Sequence, residues 1–223
     1  MALAYQESAV GGQVEFSPVS RVAGPLTLRA SVDSGGGVSD AHATAPLFRG
    51  YELLLRDRDV RDAIFVSSRA CGVCGGAHAT CSALALEMLF GVRPPQFGIT
   101  VRNVLAALDT MIDHPAHLFL RAGPDFSEPI VRDTNPELWT RATTTAAAGV
   151  ETHGLKNVSD IMAGMTRFTG SLYQEALAMS RMGREAYVLT GGKYPHPQTI
   201  VPGGISSTVD PSDLNLAMLR VAK

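Results

Sequence analysis

Two cysteines separated by two residues, Cys71 and Cys74, are the side chains of this sequence best suited to chemistry. The glycines around them let the backbone turn so that both sulfur atoms point at one centre. The pair stands at the predicted start of a helix, where free amide N–H groups favour the thiolate over the thiol, and Arg69 adds a positive charge nearby. Because thiolates bind soft metals and attack disulfides, the motif predicts either metal binding or thiol exchange.

The motif is short of metal ligands. Two sulfur donors cannot complete a tetrahedral zinc site or an iron-sulfur site, and no second C-x-x-C follows in the sequence. His78 is a candidate third donor, since it follows Cys74 by four residues. The third cysteine, Cys81, is more typical of a small core residue than of a ligand. Any further ligands must therefore come from exogenous groups or from another polypeptide.

Three interpretations of the cysteine motif compete. A C-G-x-C before a helix suits a thioredoxin-like dithiol oxidoreductase, in which the apolar segment 63–66 would be the preceding strand. An inert cysteine pair in a glycine-rich turn is the second interpretation, although so many glycines are costly in a merely structural turn. The third is a metal site. We favour it, because the chain consists largely of long helical segments and lacks a compact β-α-β arrangement around the motif.

Composition argues against several other classes of protein. The formal net charge is −2 and no dense Lys/Arg cluster occurs, so the sequence does not suggest a nucleic-acid or membrane-surface binder. No run of 18 apolar residues is present, and the first residues lack the basic and apolar pattern of a signal peptide. Three crowded cysteines do not suit the disulfide framework of a secreted fold.

Hydrophobic periodicity predicts a mixed fold dominated by helices. Segments 26–33 and 38–44 have extended character around three glycines, which indicates a β-hairpin. Helical patterns cover 50–67, a buried helix 78–90, a segment 100–121 kinked at Pro115, and a long stretch 157–189. A loop follows over 191–206, and Asp210 and Pro211 are typical of the start of a last helix. The predicted class is α+β, predominantly α-helical, with a small antiparallel sheet near the amino terminus.

The ten residues from Arg69 to His78 read Arg-Ala-Cys-Gly-Val-Cys-Gly-Gly-Ala-His. They resemble the amino-terminal signature of nickel-iron hydrogenase large subunits, Arg-x-Cys-Gly-x-Cys-x-x-x-His. Further stretches similar to the same family occur in the same order at 47–52, 58–63, 102–117 and 191–204. The resemblance therefore spans most of residues 14–206.

The resemblance implies a role for each residue of the motif. Cys71 would be a terminal ligand of nickel, and Cys74 would bridge nickel to an iron that carries carbonyl and cyanide ligands. His78 would donate a hydrogen bond to the bridging sulfur. Glu52 would bind a magnesium-type ion near the site, and His196 would lie close to the nearest iron-sulfur cluster of a small subunit.

The implied function is that of a catalytic large subunit, which oxidises hydrogen reversibly and passes electrons to iron-sulfur clusters in its partner. A hydrogen-sensing subunit is the alternative within the family, and a metal-free relative such as a quinone-reductase-like subunit fits poorly with the retained cysteines. Thioredoxin-like exchange stays the alternative outside it. We expect a cytoplasmic protein, or one associated with a membrane only through its partners.

Two departures from the family pattern stand out. The segment Arg21-Val-Ala-Gly-Pro25 has Ala23 where the family has the carboxylate that takes the proton from a site cysteine, and Glu15 is the nearest upstream carboxylate. The family's carboxy-terminal Asp-Pro-Cys-x-x-Cys-x-x-His, which supplies the other two sulfur ligands, is missing. Residues 1–223 are therefore interpreted as the amino-terminal part of a single large-subunit domain, whose second cysteine pair lies on another polypeptide or a lost segment.

Overall fold

The computed structural model describes residues 12–19, 21–22 and 24–222. The chain divides into two compact units, Met1–Gly50 and Tyr51–Lys223. The interpretation of the chain as part of one large-subunit domain stays a prediction. Among the described residues, no helix is both long enough and apolar enough to cross a membrane.

The first unit contains a three-stranded antiparallel sheet in the order β1-β2-β3, formed by Gln13–Phe16, Thr27–Val32 and Val38–Thr44. The predicted hairpin is confirmed as β2 and β3. Its turn is closed by the carboxylate of Asp33, which accepts hydrogen bonds from the N–H groups of Gly35 and Gly37 at 2.8 Å each. The strand β1 was not predicted from the sequence.

The second unit is helical. Its helices are α1 Tyr51–Leu55, α2 Ala63–Ser68, α3 Gly75–Phe90, α4 Gln96–Pro115, α5 Glu128–Thr134, α6 Pro136–Thr144, α7 Val150–His153, α8 Val158–Gly164, α9 Ser171–Gly191 and α10 Pro211–Val221. Short 3₁₀ segments at Val60–Asp62 and Gly123–Phe126 and a π-helix at Ala116–Ala122 complete the set, with two-residue strands β4 Ile200–Val201 and β5 Gly204–Ile205. The predicted class, mostly helical with a small antiparallel sheet, is confirmed.

The main core lies between α2, α3, α4 and α9. Helix α4 packs against α9, and Ile200 of the short strand β4 joins this core. The fully buried side chains at its centre include Ile64, Leu105, Ile112, Tyr187 and Ile200. A second, smaller cluster of Val131, Ala142 and Met162 joins α5, α6 and α8.

The long helical stretch predicted over 157–189 is two helices. The capping box at Asn157 and Asp160 starts α8, which ends at Gly164, and α9 begins only at Ser171. Gly170 permits the tight turn between the two helices, because any side chain there would collide with the backbone carbonyl of Gly164. The glycines thus interrupt the pattern instead of merely weakening it.

Helix α3 differs from its prediction in two respects. It begins at Gly75, three residues before the predicted segment 78–90, and it is buried on one face only. Its outer face exposes Met88 and Leu89 at 84% and 64%. The periodicity could not separate a buried helix from one with a second apolar face left uncovered. Two other predictions concern helix ends. Helix α4 runs to Pro115 and continues as the π-helix Ala116–Ala122. Asp210 caps α10, as predicted, by accepting a hydrogen bond from the N–H of Ser212 at 2.7 Å.

A buried ion pair fixes the segment 199–206, predicted as a loop, against α3 and α4. The Arg102 guanidinium donates to Glu87 at 2.6 Å, and both side chains are only 5% exposed. Arg102 also donates to the carbonyl oxygens of Val201 and Gly204, and the N–H of Gly203 donates to Glu87 at 2.9 Å. Burial alone would raise the pKa of Glu87, but the Arg102 charge and the Gly203 N–H together lower it, so the carboxylate stays ionised.

We predict that Arg102→Met exposes the hairpin β4–β5, because it leaves the Glu87 carboxylate buried without a counter-charge. The expected loss is about 3–5 kcal/mol of local opening free energy, measured by amide hydrogen exchange of residues 200–205. Arg132→Met on the surface of α5 is the control. Since the pKa of Glu87 is lowered in the folded chain, its contribution is present above its ordinary pKa of 4.5 and disappears as pH falls further. Unchanged protection in Arg102→Met would contradict this account.

Candidate metal centre at the start of the third helix

The two cysteines lie in the turn between α2 and α3. Helix α2 ends at Ser68, and Cys74 is the residue that precedes the first turn of α3. The Cα atoms of Cys71 and Cys74 are 5.3 Å apart, and their sulfur atoms are joined as a disulfide. The N–H of Cys74 donates to the Cys71 sulfur at 3.1 Å. The turn therefore brings both sulfurs to one point, as the sequence predicts.

The disulfide differs from the predicted pair of thiolates. A metal is bound by the thiolate form of cysteine, so the predicted chemistry requires both sulfurs as thiolates. In the described part of the chain, no group of three His, Cys, Asp or Glu side chains is placed to hold a metal ion. Two converging soft donors fit part of the sulfur set of a nickel-iron centre, and they do not close a coordination shell.

The surroundings of the motif do not favour the thioredoxin-like alternative. The apolar segment 63–66 belongs to helix α2, and it is not the strand that would precede such a motif. The sulfurs consequently sit between two helices.

Arg69 and His78 flank the motif. Arg69 ends α2, and its guanidinium donates to the Phe65 carbonyl at 3.1 Å and to the Ser68 hydroxyl at 2.7 Å. These contacts hold the positive charge beside the turn. His78 is partly buried in the first turn of α3, where its backbone N–H donates to the Cys74 carbonyl oxygen at 3.2 Å. The predicted placement of His78 one helical turn after Cys74 is therefore confirmed, and its hydrogen bond to sulfur stays a prediction.

His196 packs closely against the backbone of Gly75, at the same turn. A Cβ at Gly75 would collide with the carbonyl of Pro195 and would stand 2.5 Å from the His196 imidazole Nδ1. Burial lowers the pKa of His196, the positive charge of Arg69 lowers it further, and the Ser68 carbonyl opposes the shift. His196 is thus a neutral ring at pH 7, packed against the residue that follows Cys74.

Gly76 brings two further polar groups under the motif. A Cβ at Gly76 would collide with the Asp109 carboxylate and would stand 2.8 Å from the Tyr187 hydroxyl. Burial and the neighbouring charge of Asp113 raise the pKa of Asp109 to about 6. Burial also raises the pKa of Tyr187, and the Asp109 charge adds to that shift.

Sequence reasoning missed Asp109, although a signal was present. On α4 it follows the buried Leu105 by four residues and precedes the buried Ile112 by three, so a carboxylate occupies a position of the apolar stripe. A polar residue at such a position breaks the local pattern, and sites of this kind often serve a function. Tyr187 gave no comparable signal, because tyrosine is common in helical cores.

Other predicted residues lie apart from the motif or outside the description. Glu52 is exposed in the first turn of α1, and its role as a magnesium-type ligand stays a prediction. Cys81 is exposed on α3, so its prediction as a small core residue was wrong. Glu15 lies on β1, where it pairs with Arg29 at 2.6 Å. Ala23 lies outside the described residues.

Comparison with known proteins points to one family. A family model described as nickel-dependent hydrogenase matches residues 49–169, which include the whole cysteine motif. The large subunit of the periplasmic [NiFeSe] hydrogenase of Desulfomicrobium baculatum is 33% identical over 206 residues, covering 88% of this chain and 37% of that protein. The large chain of the quinone-reactive Ni/Fe-hydrogenase of Wolinella succinogenes is 27% identical over 230 residues, covering 90% and 40%.

Solved structures give the same result. An actinobacterial-type NiFe-hydrogenase from Ralstonia eutropha matches with a TM-score of 0.81 and 35% identity, covering 93% of this chain and 37% of that one. The Ni-Fe-Se hydrogenase of D. vulgaris Hildenborough matches with a TM-score of 0.68 and 31% identity, covering 93% and 40%. The chain thus spans about two fifths of the length of these relatives.

We predict that Gly75→Ala disturbs the start of α3, because the added Cβ would overlap the carbonyl oxygen of Pro195 and the imidazole of His196. The expected cost is about 1–3 kcal/mol of local stability, measured by hydrogen exchange of amides 75–80. Gly72→Ala is the matched control, since nothing lies within 4 Å of a Cβ at Gly72. Equal protection in the two variants would show that the close approach at Gly75 does not matter.

Proposed function

The chain belongs to the nickel-dependent hydrogenase family, and from this membership we propose that it is the amino-terminal part of a hydrogenase large subunit that takes part in the reversible oxidation of hydrogen. One observation carries the proposal: the cysteine pair that converges at the start of α3 lies inside the segment that matches the family. The remaining residues of the site are assigned around this pair.

Cys71 and Cys74 are the proposed ligands, as two thiolates. When bound, a nickel-iron centre with carbonyl and cyanide ligands on iron supplies the cleavage of hydrogen into protons and electrons. The chain's part is to hold two soft donors at a fixed separation, which the turn after α2 does. The pair precedes the first turn of α3, and the free N–H groups and positive dipole end of a helix start favour the thiolate form that binds metal.

Four other residues complete the proposed site. His78 is proposed to donate a hydrogen bond to the Cys74 sulfur and so to adjust its basicity. Arg69 holds a positive charge beside the turn, through its contacts with Phe65 and Ser68. Glu52 is proposed as a ligand of a magnesium-type ion, since a carboxylate suits a hard cation. His196 is proposed to face an iron-sulfur cluster of a small subunit.

The proposal also requires other polypeptides. The chain offers two of the sulfur donors, so the second cysteine pair must come from a further segment of the large subunit or from a separate chain. Electrons would leave to iron-sulfur clusters in a small subunit. We propose that any membrane contact is made through such partners.

The test of this function is metal content and hydrogen oxidation in the assembled complex. We predict that nickel and iron co-purify with it in equal amounts and that Cys71→Ser or Cys74→Ser abolishes hydrogen oxidation. A serine oxygen is a hard donor, which binds nickel poorly and cannot replace a bridging thiolate. Hydrogen uptake with an artificial electron acceptor and elemental analysis are the two measurements.

Cys81→Ser is the matched control, because Cys81 lies two helical turns beyond Cys74 on α3 and is exposed. It should keep both metals and full activity. Zinc alone in the wild-type complex, or hydrogen oxidation that survives in either Cys71→Ser or Cys74→Ser, would refute the proposed ligation.

A further prediction is that residues 1–223 alone neither hold the metals nor unfold in one cooperative transition. A shell that is short of ligands cannot contribute metal-binding energy to folding, and apolar side chains of α3 and α10 stay exposed in this chain. Thermal melts with and without the partner polypeptides measure the difference. A sharp, monomeric, metal-loaded transition of residues 1–223 alone would show that the site is self-sufficient.

A further inference from the structure

The last residue of α2, Ser68, is a fully buried polar side chain three positions before Cys71. Its hydroxyl donates to the Phe65 carbonyl oxygen at 2.9 Å and accepts a hydrogen bond from the Arg69 guanidinium at 2.7 Å. A buried hydroxyl is stable only when it forms such bonds, because an unpaired one costs free energy. Ser68 therefore joins the end of α2 to the positive charge of Arg69.

The end of α2 offers the guanidinium a second acceptor. The backbone N–H of Arg69 donates to the Val66 carbonyl at 3.1 Å, which leaves the Phe65 carbonyl to side chains. Carbonyl groups in the last turn of a helix need such partners, and arginine is one that supplies them. The Phe65 carbonyl accepts from Ser68 and also from Arg69 Nη1, the latter at 3.1 Å. The carbonyl, the hydroxyl and the guanidinium thus form a closed triangle of hydrogen bonds.

The main chain of Ser68 faces the second residue that flanks the motif. A Cβ at Gly75 would stand 3.0 Å from the Ser68 carbonyl oxygen and 2.5 Å from His196 Nδ1, so both atoms border the same point. Burial lowers the pKa of His196, the Arg69 charge lowers it further, and the Ser68 carbonyl opposes the shift. Arg69 therefore lies close enough to His196 to act on it, and Ser68 faces both residues.

We propose that Ser68 is a positioning residue of the cysteine site, whose buried hydroxyl holds the Arg69 guanidinium at the turn that carries Cys71 and Cys74. The inference rests on the proposed function for the reaction that the charge assists. One hydrogen bond to a main-chain carbonyl does not offset the entropy of fixing a long arginine side chain. Ser68 supplies the additional acceptor, at the shorter of the two distances. A charge that is free to move into water would be screened there.

The experiment measures the midpoint potential of nickel in the assembled complex, by a redox titration followed by electron paramagnetic resonance. Ser68→Ala removes the hydroxyl and introduces no larger group. With the guanidinium released, the reduced and more negative state of the centre loses a nearby cation, so the potential should become more negative. We also expect kcat for hydrogen oxidation to fall about tenfold with KM unchanged, and nickel and iron to be retained.

Two comparisons separate positioning from a general loss of stability. Arg69→Gln should shift the potential in the same direction, and adding Ser68→Ala to it should cause no further shift, because the hydroxyl acts through the guanidinium. Ser67→Ala is the matched control on the same helix. The Ser67 hydroxyl donates to the Ile64 carbonyl at 3.4 Å and bonds to the Ser82 hydroxyl at 2.7 Å, so its loss removes similar bonds that do not involve Arg69. Its potential and kcat should equal those of the wild type.

Crystal structures of the wild-type and Ser68→Ala complexes decide the placement of Arg69 without any turnover. The guanidinium should bond to the Ser68 hydroxyl in the wild type and should leave the Phe65 carbonyl in the variant. A guanidinium that stays in place in Ser68→Ala, shifts that add in full with Arg69→Gln, or an equal shift in Ser67→Ala overturns the proposal. A wild-type complex without nickel or hydrogen oxidation would refute the proposed function instead, and the two structures would still decide whether Ser68 positions Arg69.

Discussion

The close approach of the backbone at Gly75 and Gly76 is the constraint on which the site depends. At the first position a side chain would displace the segment of Pro195 and His196, and at the second it would displace Asp109. Side chains from distant parts of the chain can reach the underside of the cysteine turn only because these two residues have none. The turn is therefore held by packing from below, which fixes where the two sulfurs converge.

Burying polar side chains beneath the turn costs free energy, and packing elsewhere in the helical unit offsets this cost. Tyr187 is fully buried, and among the described residues neither its hydroxyl nor Asp109 Oδ1 has a hydrogen-bond partner. A loosely packed core would let these groups move until they found partners. The Arg102–Glu87 pair keeps the hairpin β4–β5 against α3 and α4. Since this hairpin follows His196 in the chain, the ion pair also limits how far His196 can move from Gly75.

The sequence predicted local features well and long-range ones poorly. The β2–β3 hairpin, the cap at Asp210 and the helix start beside Cys74 depend on residues close in sequence, and all three are confirmed. Asp109 at the site could not be placed in the same way, because its position depends on contacts with residues more than thirty positions away. The exposure of Cys81 and Met88 was missed for a related reason, since periodicity shows that a face is apolar and not whether anything covers it.

The uncovered face and the incomplete donor set have one physical explanation. Met88 and Leu89 expose apolar surface on the helix that starts at the cysteine pair, and the chain spans about two fifths of its relatives. In a protein of this family, a polypeptide that covers α3 would bury this surface and could bring further sulfur donors to the turn. Metal binding and apolar burial would then stabilise the same assembled state, so that each would strengthen the other.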